Sequence, residues 1–217
     1  MAEYRSIEDA LREEYFDIVS DIRRALLETE TRVRGALLPV SLSLRRYERL
    51  IVTSRVKECD SAIDSLRRRQ PLGLFDPEHV EQYSLAWLRD LAALRVMAFP
   101  QERLDDAQLA LEPLLTDWST DPIPGVGQTD PPLALKYYGK WRSDDRIITE
   151  IQIVPLLVGL FWEVEHSAIY KPTPNLHGVV RSEAVLQRRN DVLTALRFFE
   201  TEFGSAIRES ETAIGER

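Results

Sequence analysis

Glu150-Ile151-Gln152-Ile153 sets polar against apolar side chains at the two-residue period of a strand, in a chain whose other strong periodicities are helical. Glu150 and Gln152 then share one face, and Ile151 and Ile153 turn toward a core. Between Ile7 and about Val33 the apolar positions Ile7, Leu11, Tyr15, Ile18, Ile22 and Leu26 fall on one helical stripe. Ser6 supplies an N-cap ahead of Glu8 and Asp9, whose charge suits the positive end of a helix. A second long helix is expected over Val180 to Ile207, where Val185, Val192, Leu196, Phe199, Phe203 and Ile207 form the stripe. The expected class is therefore α+β, a few strands sandwiched by many helices.

Between these ends the spacing predicts further elements. Pro39 is expected to interrupt a second apolar stretch, with another helix through Leu42 to Leu50. Ala62 to Arg69 reads as a helix stopped by Gln70-Pro71-Leu72-Gly73, and another helix begins near Pro77. Leu91 to Phe99 reads as a buried strand ending at Pro100, followed by a helix from Leu104 to Trp118. Ser119 to Pro132 collects Pro122, Pro124, Gly125, Gly127, Pro131 and Pro132, the chemistry of a long loop. Strands follow at Leu133 to Trp141 and Arg146 to Val154, joined by the turn Arg142-Ser143-Asp144-Asp145, and then an apolar helix over Pro155 to Glu165.

Bulk properties narrow the function classes. A chain of 217 residues with 44% hydrophobic content can bury a full-sized core as one domain. Its net charge of −8 and pI near 5.1 argue against a general DNA or RNA binder, so any phosphate-binding cations must be local. Cys59 is the single cysteine and cannot form an internal disulfide, while three scattered histidines show no zinc spacing. The first residues lack an apolar signal core, and the run Ile153 to Trp162 is too short to span a bilayer. These features point to a cytoplasmic protein with no membrane partner.

Four ordered segments carry a resemblance. Ser54-Arg55-Val56-Lys57, Asp90 to Val96, Glu150 to Ile153, and Glu163 with His166, Tyr170 and Lys171 together resemble the synthetase domain of the RelA/SpoT family. The resemblance spans Ser54 to Lys171 and implies a mixed β-sheet flanked by helices, in a nucleotidyltransferase-like fold. It divides the single structural domain into an N-terminal helical segment over residues 1–50, a synthetase core over 51–175 and a C-terminal helix over 176–217. A hydrolase half is not expected, because the stretch before Ser54 is short and lacks a histidine-aspartate metal pair. The terminal helices are available for packing on a second copy.

The activity implied is transfer of pyrophosphate from ATP to the 3′-hydroxyl of GDP or GTP, with Mg²⁺ as cofactor. Such chemistry needs cations on the triphosphate, a carboxylate-bound ion and a group that activates the hydroxyl. On the resemblance, Arg55, Lys57 and Ser61 meet ATP; the family's later lysine falls on Ser65, and Arg67, Arg68 or Arg69 would replace it. Asp90 and Glu150 are the catalytic and metal-binding pair, within a D-x-A-G-x-R pattern that has Ala93 in place of glycine and an E-I-Q-I strand continued by Val154 and Pro155 instead of arginine and threonine. The resemblance also implies that Gln152, His166, Tyr170 and Lys171 contact acceptor or phosphate. Read without the resemblance, Arg55 and Lys57 are surface charges, Asp90 a cap or an ion-pair partner of Arg89 or Arg95, Glu150 and Gln152 a solvated polar pair, and His166 a structural histidine.

One family segment, G-Y-R-S-x-H, has no counterpart. Its place is taken by residues 131–141, where Tyr137, Tyr138 and Trp141 are available for stacking and Lys136 and Lys140 for phosphate. This leaves two further readings beside the leading one: an inactive nucleotide sensor or interaction module, and a transferase with a different acceptor.

Overall fold

The computed structural model describes residues 6–77, 79–126, 131–143, 145–165 and 182–215. Helix α1, Ile7–Leu42, begins where Ser6 accepts a hydrogen bond from the Asp9 amide at 3.1 Å, as its N-cap position requires. It buries Leu11, Tyr15, Ile18, Ile22, Val33 and Leu37 along one stripe. It also runs through Pro39, contrary to the expected break, because Pro39 sits in the last turn, where the missing N–H costs only one hydrogen bond. The expected helix through Leu42 to Leu50 is replaced by a turn and strand β1, Arg49–Val56.

Helix α2, Cys59–Arg67, follows, and then irregular chain with short 3₁₀ turns at Pro71–Gly73, Val80–Gln82 and Leu85–Trp87. The helix expected near Pro77 is absent from these described residues. Strand β2, Ala92–Phe99, is buried except at the half-buried Arg95 and Phe99, as its mainly apolar run suggested. Helix α3, Gln101–Leu111, stops short of Trp118 because Pro113 allows only a 3₁₀ turn at Glu112–Leu114. Ser119–Ile123 is strand β3, not loop; Pro122 is accommodated because β3 lies at the sheet edge. Strands β4, Ala134–Gly139, and β5, Thr149–Pro155, pair antiparallel as the hairpin pattern indicated. Helices α4, Leu156–Glu165, and α5, Glu183–Gly215, complete the described chain. Among the described residues no helix is long and apolar enough to cross a membrane.

The five-stranded sheet has the order β1-β2-β5-β4-β3, with β2 and β5 parallel and the other pairs antiparallel. Its two faces differ in chemistry. Leu94, Val96, Ile151 and Ile153 project to one face and pack with Val33, Leu37, Leu104, Ala107 and Leu111 of α1 and α3. On the other face only the far end is apolar, where Met97 and Val154 meet Val158 of α4 and Leu193 of α5. Gly159 permits that approach, since a Cβ there would stand 2.7 Å from the Met97 sulfur.

Helix α5 is fixed to α4 by a buried carboxylate. Glu200, 1% exposed, accepts the Leu157 N–H at 2.8 Å, taking up a free amide in the first turn of α4. Its other oxygen is buried without a partner among the described residues. Burial pushes this carboxyl up to about 7, opposed by the Leu157 N–H and by Arg197. A raised folded-state value means that the stabilisation is fully present below the ordinary carboxylate range and is lost as pH rises through about 7. Between pH 5 and 8 wild type is expected to lose about 2–3 kcal/mol that Glu200→Gln does not lose, measured by urea denaturation of both across that range. Parallel pH profiles for the two proteins would refute this assignment.

Candidate active site

In-register neighbours on paired strands share a face. One row across the sheet is Arg55, Ala93, Glu150, Tyr138 and Ser119, and the next is Thr53, Arg95, Gln152, Lys136 and Asp121. The face opposite the α1–α3 core is thus lined with ionisable and hydrogen-bonding groups, and α4 and α5 cover only its far end. Residues just ahead of β2 and just after β1 reach the same sheet end, where the Lys57 amide donates to the Leu91 carbonyl at 2.8 Å.

At this end lies a cavity of about 540 Å³, lined by Asp90 and Glu150 together with Arg69, Arg89 and Lys136 and with Trp87, Tyr138 and Asp121. The two acidic residues singled out from sequence, 60 positions apart by residue number, therefore face one space. Lys57 Nζ donates to Asp90 Oδ2 at 2.5 Å, while Asp90 Oδ1 is buried without a partner among the described residues. Glu150 is 3% exposed; its Oε1 accepts from the Gln152 amide, whose own oxygen accepts from Arg95 Nε at 3.0 Å. Tyr138 is the in-register neighbour of Glu150 and lines the cavity with it. Glu150 is accordingly held by a chain of donors that fixes its orientation.

The charges are arranged for a polyanion. Arg69, Arg89 and Lys136 line the cavity without a carboxylate partner among the described residues, although Arg89 stacks over Tyr138 at 5.7 Å. Burial lowers Lys57 below the usual lysine range against the opposing pull of Asp90, and Arg55 and Arg69 push in the same direction as burial. Arg95 is likewise lowered by burial, partly offset by Glu163 and reinforced by Arg55. Arg55 and Arg69 thus repel Lys57, and Arg55 repels Arg95, a cost that a bound phosphate chain would remove. Tyr138 is raised above the usual tyrosine range, first by burial and then by Glu150, Asp121 and Asp90.

A divalent ion fits here. Asp90 Oδ1 is an orphaned buried acceptor, and Glu150 is a fixed carboxylate lining the same cavity. Among the described residues no group of three or more histidine, cysteine or acidic side chains converges on one point, so an ion held by Asp90 and Glu150 takes its remaining oxygens from phosphate and water.

Arg55 and Ser61 do not line this cavity. Arg55 is exposed on the polar face, in register with Glu150 through Ala93. Ser61 lies on α2. Gln152 touches Glu150 and Arg95, which gives it a holding role. His166, Tyr170 and Lys171 lie outside the described residues. Sequence reasoning missed Asp121, because a proline-rich stretch read as loop hid the strand that presents it. It also missed Trp87, whose turn is set by tertiary contact: Glu14 of α1 accepts from the Leu85 amide at 2.9 Å and from the Ser84 hydroxyl.

No protein-family model matches the sequence, and no curated protein matches it. Solved structures do. The small alarmone synthetase 1 from Bacillus subtilis superposes with a TM-score of 0.60 at 21% identity, over 91% of this chain and 99% of that one. The same synthetase bound to its product pppGpp gives 0.58 at 20% identity, over 90% and 99%. A GTP pyrophosphokinase family protein from Streptococcus pneumoniae gives 0.59 at 16% identity, over 94% and 99%. The chain has the fold of these proteins across nearly its whole length.

Proposed function

We propose that this chain is a RelA/SpoT-type pyrophosphokinase that transfers the β,γ-pyrophosphate of ATP to the 3′-hydroxyl of GDP or GTP. The observation that carries the reading is one cavity in which the buried Glu150 and the half-buried Asp90, whose Oδ1 is buried and unpartnered, face cations that lack carboxylate partners among the described residues. The fold it shares with small alarmone synthetases, one of them solved with an ATP analogue, AMPCPP, supports it.

In this reading Arg55, Lys57, Arg69 and Arg95 bind the ATP side, and Arg89 and Lys136 bind acceptor phosphates. Asp90 and Glu150 would hold Mg²⁺, which when bound neutralises charge on the triphosphate. Glu150 accepts the proton of the 3′-hydroxyl as the new O–P bond forms to the β-phosphorus; the bridging bond to the α-phosphate breaks, and AMP leaves. Gln152 keeps the carboxylate aimed, so that little reorganisation accompanies proton transfer.

Incubation of the purified protein with γ-labelled ATP, Mg²⁺ and GDP or GTP is expected to yield a labelled guanosine nucleotide and AMP. Bound nucleotides that raise the melting temperature with no labelled product would replace this reading with that of a nucleotide sensor.

A further inference from the structure

Asp121 is anomalous in a cavity otherwise suited to phosphate. It lies on the edge strand β3 directly across from Lys136 of β4, yet makes no hydrogen bond or ion pair among the described residues. A carboxylate in that position repels phosphate, so it must meet an electropositive part of whatever fills the space. A third ion ligand is the obvious role, but Asp121 does not converge with Asp90 and Glu150 on a common point among the described residues. Its charge is nonetheless felt at the Tyr138 hydroxyl, as are those of Glu150 and Asp90, so it faces the same interior.

Its distance from the reacting end is informative. Asp121 sits two strands from Glu150, about 10 Å across the sheet, and one pleat repeat further along. That is the scale on which a purine's outer edge stands away from its ribose. Hydrogen-bond donors on that edge separate the purines: guanine offers N1–H and a 2-amino group side by side, a match for the two oxygens of a carboxylate, while adenine offers a bare N1 acceptor that a carboxylate repels.

We infer that Asp121 determines acceptor specificity, its carboxylate accepting the N1–H and 2-amino hydrogens of a guanine base. The inference deepens the pyrophosphokinase reading and rests on it for the placement of the acceptor's ribose at Glu150. No part of it depends on the family's missing G-Y-R-S-x-H segment; Asp121 supplies base recognition from a different strand.

The test is equilibrium binding without turnover. GDP, IDP and ADP are titrated into wild type and Asp121→Asn in the presence of Mg²⁺, with ATP as a control. IDP lacks the 2-amino group and ADP lacks both donors. Wild type is expected to prefer GDP to IDP to ADP, and the variant to bind GDP about ten- to a hundredfold more weakly, with ADP and ATP unchanged and the GDP-over-IDP preference gone. Because Asp121 is exposed on an edge strand, the variant is expected to melt as wild type does, and Asp121→Ala provides a second check. Equal weakening of all nucleotides, or none, overturns the inference. If wild type binds GDP in an Asp121-dependent way but forms no product, the transferase reading fails and the specificity assignment stands.

Discussion

Glu150→Gln is expected to lower the rate of pyrophosphate transfer by about a thousandfold or more while leaving the melting temperature nearly unchanged. The substitution keeps the volume of a side chain that is 3% exposed, and glutamine can still accept from the Gln152 amide through its oxygen. What it removes is the charge that would hold the ion and the basicity that takes the hydroxyl proton. Asp90→Asn is expected to act similarly, since it blunts both the oxygen that binds Lys57 and the unpartnered one. Single-turnover product formation beside a thermal melt checks both. A Glu150→Gln protein that transfers within tenfold of wild type would remove this carboxylate from the chemistry.

Ile151→Ala, one residue along, is expected to have the opposite signature. Ile151 is fully buried on the apolar face, between strands β2 and β4 and against the α1–α3 core. Loss of its side chain leaves a cavity that close packing cannot refill, at about 3–4 kcal/mol. Urea denaturation measures the loss. The residual folded protein is expected to retain its activity per molecule, because Ile151 faces away from the polar cavity. A destabilisation under about 1 kcal/mol would mean that this face is not tightly packed.

The contrast between these neighbours is why so much of the sheet was legible. Alternation in Glu150-Ile151-Gln152-Ile153 specified both the strand and which side chains face the site, and the run Leu91 to Phe99, apolar except for Arg95, marked a mostly buried strand. Helix α1 announced itself through its stripe and through Ser6. Other features depend on contacts that no local pattern encodes. Pro39 stays helical because it falls in a final turn, and Ser119–Ile123 pairs because an edge strand can tolerate Pro122. Short motifs singled out Asp90 and Glu150, which line one cavity, and Lys57, which meets Asp90. Asp121, Trp87 and Arg89 were not assigned to the site, because a cavity wall assembled from an edge strand and a 3₁₀ turn leaves no periodic trace.

That turn ties two remote parts of the molecule together. Glu14 belongs to a helix packed against the apolar side, yet its carboxylate holds the Leu85–Trp87 segment that delivers Trp87, Arg89 and Asp90 to the opposite side. The approach of the chain to Asp90 is thus anchored from across the sheet, by a residue that does not line the cavity.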